Sequence, residues 1–128
     1  MKIISIIILL IFTSCLVKAQ DCSKVKYGKF KLVLELDTMK IVTTIERVKN
    51  IQSEESSTGV KMQFEVKWTS SCSYELSKPK VLKGEMTDVN DQQILYVKIL
   101  NVTPTYYTAE ISSNFADLKL VKDIQIVQ

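Results

Sequence analysis

Val60-Lys61-Met62-Gln63-Phe64-Glu65-Val66-Lys67-Trp68 alternates apolar and polar side chains without a break. Five apolar side chains fall on one face and four polar ones on the other, the pattern of a half-buried β-strand. Working outward, Phe30, Leu32, Leu34 and Leu36 alternate with Lys29, Lys31 and Glu35 in the same way. The same period predicts strands over Ile41 to Arg47, Cys72 to Leu76, Val81 to Met86, Ile94 to Leu100, Tyr106 to Ser112 and Leu118 to Val127. Thr, Val, Ile and Tyr dominate these runs, which suits a pleated surface.

Turn chemistry separates the runs. Asp37-Thr38, Ser56-Ser57-Thr58-Gly59, Thr69-Ser70-Ser71, Ser77-Lys78-Pro79, Asp88 to Gln92, Thr103-Pro104 and Ser112 to Asn114 are rich in residues that favour tight bends. No segment carries a sustained apolar stripe at helical period. About eight antiparallel strands laid flat would leave two raw edges, and closing the sheet removes them. The expectation is therefore all-β: a small up-and-down barrel or strongly curled sheet, with a two-sheet sandwich as the alternative. The first strand and the last are both apolar on one face, and their pairing would close the barrel.

The first nineteen residues read as an export signal. Lys2 supplies the positive charge, Ile3 to Phe12 are apolar apart from Ser5, and Val17-Lys18-Ala19 fits a signal peptidase site. The apolar run is shorter than the roughly twenty residues of a membrane-spanning helix. The reading is residues 1–19 as a signal peptide and 20–128 as one domain, exported to the periplasm or the extracellular space. Phe12-Thr13-Ser14-Cys15 offers a rival reading as a loose lipobox, which would lipidate Cys15 and anchor the protein.

Export governs the cysteines. With Cys15 in the targeting segment, Cys22 and Cys72 remain, and in an oxidising compartment they pair most simply as one disulfide. Closing a loop of about fifty residues stabilises by roughly 4 kcal/mol in the loop-entropy picture.

Composition excludes several chemistries. Removal of the signal leaves fifteen basic and fourteen acidic residues, a net charge of +1, with no basic run to follow nucleic acid. The chain has no histidine, so an imidazole-based triad is excluded and most zinc sites lack their ligands. The three glycines stand singly at 28, 59 and 84, so there is no glycine-rich phosphate loop. Glu54-Glu55 are adjacent acids after the second strand, a pairing that is usually solvated, whereas two-carboxylate hydrolysis needs acids across a cleft. The expectation is no enzyme, no metal and no cofactor.

Four side chains are candidates for lining a ligand pocket. Arg47 shares its strand face with Ile41, Thr43 and Ile45, where its guanidinium fork would suit a carboxylate or phosphate. The competing reading is a strand-end arginine whose head reaches water, or one that pairs locally with Gln52, Glu54 or Glu55. Trp68, Tyr74 and Tyr96 lie on cleanly alternating runs and would offer apolar bodies with polar tips; the competing reading is core filling. Asp37-Thr38-Met39 resembles an Asp-Thr-apolar O-glycosylation acceptor of Bacteroidota-type bacteria, with Thr38 as the modified residue.

Two likenesses arise from these residues. Ala19-Gln20-Asp21-Cys22, Tyr27-Gly28-Lys29-Phe30-Lys31 and Lys67-Trp68-Thr69-Ser70-Ser71-Cys72-Ser73-Tyr74-Glu75-Leu76 resemble a family of small secreted flavobacterial β-rich proteins without an established activity. Members often carry the name "DNA topoisomerase IV", which an exported chain of 109 residues without ATPase motifs or a basic track cannot merit. Gly28-Lys29-Phe30 also resembles the Gly-x-Trp that opens the first strand of lipocalins. That likeness implies a cross-barrel arginine on the last strand, where only Lys119 or Lys122 is available. Together these readings lead to an exported barrel that binds a small apolar or amphipathic ligand. The alternative is an envelope domain with a filled core and a protein partner; neither reading involves nucleic acid or a membrane span after the signal.

Overall fold

The computed structural model describes residues 21–128. Eight strands follow one short 3-10 turn at Cys22–Val25. They are β1 (Gly28–Leu36), β2 (Met39–Val48), β3 (Ile51–Ser56), β4 (Lys61–Ser70), β5 (Ser73–Lys83), β6 (Leu95–Val102), β7 (Tyr106–Ser113) and β8 (Leu120–Val127). Each strand pairs antiparallel with the next, and β1 pairs with β8, so the sheet is a closed up-and-down barrel. The closure predicted from the first and last strands is realised through Phe30 opposite Ile126.

The strand count agrees with the sequence reading, but through two offsetting differences. β3 was not predicted, because its inward positions are Gln52, Glu54 and Ser56 and no apolar alternation marks it. Glu54 therefore lies on a strand and not in a loop. Conversely, Cys72 to Leu76 and Val81 to Met86 belong to one strand, β5, which ends at Lys83. The turn chemistry of Ser77-Lys78-Pro79 makes a bulge there: Lys78 has φ 48°, and the register to β4 shifts between Gln63 and Glu65. A proline without a ladder hydrogen is tolerated at such an irregularity.

The barrel has two unlike ends. The 3-10 turn and the tight connections after β2, β4 and β6 form a floor. Gly28, with φ 130°, lets the chain turn from the 3-10 segment into β1. The Cys22–Cys72 disulfide ties the 3-10 turn to the β4–β5 connection and so fixes the floor in place. The other four connections surround a mouth, which includes the longer segments 84–94 and 114–119.

Burial follows this polarity. Inward residues near the floor (Phe30, Ile45, Phe64, Val66, Tyr74, Val97, Ile99, Tyr107 and Ile124) are buried. Inward residues toward the mouth, including Leu32, Thr43, Glu54, Met62, Leu95 and Ile111, are only half-buried. The ladders thin out at the same end. β5 pairs with β6 only over Ser73–Leu76, and β1 with β8 only over Lys29–Lys31. The barrel is sealed and packed at its floor and splayed at its mouth.

Candidate functional site: the barrel interior

The floor is organised by Arg47, which is 0% exposed. Its Nε donates to Gln52 Oε1 at 3.0 Å and its Nη1 to the Val25 carbonyl at 2.9 Å. Its Nη2 donates to the hydroxyls of Tyr74 and Tyr107 at 3.1 and 3.0 Å, and these hydroxyls lie 3.3 Å apart. Four of the five guanidinium N–H groups are thus engaged. The cation also lies 4.8 Å from the centre of the Phe30 ring and 4.5 Å from that of Tyr74, close enough for π attraction. Burial pushes the Tyr74 phenol well above its ordinary range, so its oxygen serves as a neutral acceptor.

Neither local reading of Arg47 describes it fully. Its head does not reach water, and no carboxylate pairs with it directly among the described residues. The link to Glu54 runs through Gln52, whose Nε2 donates to Glu54 Oε1 at 3.3 Å. A buried arginine held by neutral acceptors, with its counter-charge one amide away, closes the floor.

Of the four candidate lining residues, the structure brings three together. Trp68 and Tyr74 have ring centres 4.7 Å apart, and Trp68 lies 5.9 Å from the Arg47 guanidinium. The enclosed Trp68 indole N–H has no acceptor among the described residues. Tyr96 stands apart on the outer wall, 38% exposed, because it alternates with the inward Leu95 and Val97. Thr38 lies exposed in the β1–β2 turn at the mouth. Cys15 and the signal segment fall outside the described residues.

Two further charges face inward: Glu54, which the sequence marks only as one of two adjacent acids, and Lys122, which it offers beside Lys119 as a stand-in for a last-strand arginine. Glu54 is opposite Ile45 and Met62, half-way up the wall. Burial pushes its carboxyl from 4.5 to about 6, against the lowering pull of the Gln52 hydrogen bond and of the Arg47 charge. Lys122 is opposite Ala109, which is fully buried, so it shares the inward face of β8 with Ile124 and Ile126. Lys119, by contrast, pairs outside with Glu110 at 2.9 Å. Period-two counting from Ile45 and Ile124 would have found both inward charges, once β3 was recognised as a strand.

The raised Glu54 pKa fixes a pH dependence. The folded state holds this proton more tightly than the unfolded chain, so the associated stability is fully present below about pH 4.5. It is lost as pH rises through about 6, and the shift corresponds to about 2 kcal/mol. Glu54→Gln is therefore expected to stabilise the protein at pH 8 by about 1–2 kcal/mol relative to its effect at pH 4. Paired denaturation curves at the two pH values check this; an unchanged difference would place the carboxylate in bulk solvent.

Elsewhere the surface offers less. A groove of about 350 Å³ crosses the outer wall between Lys29, Thr44, Glu46, Ser53, Glu55 and Lys61. Its charges of both signs face solvent, where they are strongly screened. Among the described residues no cluster suits a metal ion, and no helix is long and apolar enough to cross a membrane. Comparison of the chain with protein-family models, curated proteins and solved structures finds no match.

Proposed function

We propose that this protein is an exported carrier or sensor that holds one small apolar or amphipathic molecule in the mouth-side half of its barrel. The observation that carries the reading is the change in burial along single strands. Phe30 is buried while Leu32 and Leu34 on the same face are not, and Phe64 is buried while Met62 is not. Inward apolar side chains that remain open to solvent in a closed barrel leave room for a guest, and a concave apolar wall with a few polar groups is the usual form of a ligand site. The floor cluster serves this reading by sealing one end, so that Arg47 and Tyr74 act as a rigid base and Trp68 packs against them. The disulfide, which belongs with an oxidising compartment, is consistent with export.

Titration with N-phenyl-1-naphthylamine, whose fluorescence rises in apolar surroundings, tests the reading. Saturation at one probe per barrel is expected. Absence of a saturable signal would leave a domain with a filled core. A second reading, docking to an envelope partner, is favoured by the mouth loops, where Leu36, Met39, Leu82, Met86, Phe115 and Leu118 are all exposed. A broad apolar rim of this kind is uncommon on a free monomer.

A further inference from the structure

The charges that face the barrel interior select the ligand, and this inference rests on the carrier reading above. Among the described residues, three charged side chains occupy inward strand positions: Arg47, Glu54 and Lys122. Arg47 and Glu54 form one network through Gln52, and their opposite charges balance. Lys122 makes no ion pair or hydrogen bond among the described residues. The acids near it on the outer faces are already engaged: Glu110 with Lys119, and Asp123 with the Thr108 hydroxyl at 2.6 Å.

The position of Lys122 suits a head group. It lies one inward step below the rim residue Leu120 and one step above the Ile124–Tyr107 pair that overlies the floor. Its cross-strand partner is Ala109, whose small side chain leaves the lysine stem free of competition on that side. The apolar side chains of the mouth-side wall are half-buried: Leu32, Met62 and Ile111. An interior with a neutralised floor, an apolar wall and one unpaired cation near the mouth carries a net charge of +1.

We infer that the barrel takes a single-chain anionic amphiphile, its carboxylate or phosphate head on Lys122 and its chain along Leu32, Met62 and Ile111. A cationic amphiphile would face the unpaired ammonium of Lys122, while Glu54 is already engaged with Gln52 in the Arg47 network. A neutral chain would leave the ammonium without a partner. An ammonium–anion hydrogen bond in a partly desolvated site is stronger than its neutral counterpart, which predicts a preference of about tenfold or more for the charged head.

Displacement of bound N-phenyl-1-naphthylamine by four dodecyl compounds below their micelle concentrations tests this: dodecanoate, monododecyl phosphate, dodecan-1-ol and dodecylamine. Dodecanoate, the phosphate or both should displace the probe at about one tenth of the alcohol's concentration or less, and the order of the two identifies the preferred head. Lys122→Gln should bring displacement by the anions and by dodecan-1-ol to about the same concentration, and Lys122→Arg should retain the anion advantage. Equal displacement by all four compounds, superior displacement by dodecylamine, or an anion preference that survives Lys122→Gln would overturn the assignment while leaving the carrier reading intact. A probe that never binds would overturn both.

Discussion

Replacing Arg47 with alanine is expected to lower folding stability by about 3–5 kcal/mol, the usual cost of removing one partner from a buried polar network. The loss has two parts. The Val25 carbonyl, Gln52 Oε1 and the Tyr74 and Tyr107 hydroxyls lose the donors that satisfy them inside the floor, and each orphaned polar group costs about 1–3 kcal/mol if nothing replaces the partner. A void also opens against Phe30 and Tyr74, whose rings now pack on the guanidinium. Arg47→Met separates the two, because it refills the volume without restoring a donor. Urea denaturation of the parent and both variants should rank them parent, methionine, alanine. A loss below about 1 kcal/mol for alanine would be the behaviour of a strand-end arginine solvated at its head.

The second large effect is expected at the disulfide. Replacing both Cys22 and Cys72 with serine should destabilise by about 4 kcal/mol, from the freed loop alone, the two residues being 50 apart in sequence. The bridge does more than close a loop, since it holds the 3-10 turn that presents the Val25 carbonyl to Arg47. The cysteine and Arg47→Ala changes should therefore couple: the combined variant loses less than the sum, because each disrupts the same floor. Denaturant midpoints for the four members of the cycle measure this. Strict additivity would mean that the floor and the bridge stabilise the fold independently.

The sequence revealed the architecture better than it revealed the interior. The alternation of Val60 to Trp68 identified β4, and the apolar faces of the first and last strands anticipated the closure. Period-two counting also placed Arg47 correctly among Ile41, Thr43 and Ile45. It missed β3 because a strand whose inner face is Gln, Glu and Ser has no hydrophobic signature to count. That face is polar because it supports the arginine of the neighbouring strand, a reason that exists only after the barrel has formed. β5 was divided because Pro79 signals a turn locally, whereas the pairing with β4 absorbs it as a bulge. Tyr96 was grouped with the interior aromatics, although its neighbours Leu95 and Val97 assign it to the outer face.

The two interior charges are obscured in the sequence by the same cause. Glu54 reads as one of two adjacent acids until β3 is known to send it inward and Glu55 outward. Lys122 cannot be told from Lys119 as the inward lysine of the last strand until Ala109 is found opposite it. In both cases strand pairing, and not local composition, converts a surface residue into an interior one.

Methyl-resolved NMR during titration with dodecanoate tests the central claim, that the mouth-side half of the barrel holds the ligand. The account predicts saturable shifts at Leu32, Met62 and Ile111, with small changes at the floor residues Val25 and Ile126. Shifts confined to the rim residues Leu36, Met39 and Leu118, or no shifts at all, would contradict it and leave the mouth as a docking surface around a filled barrel.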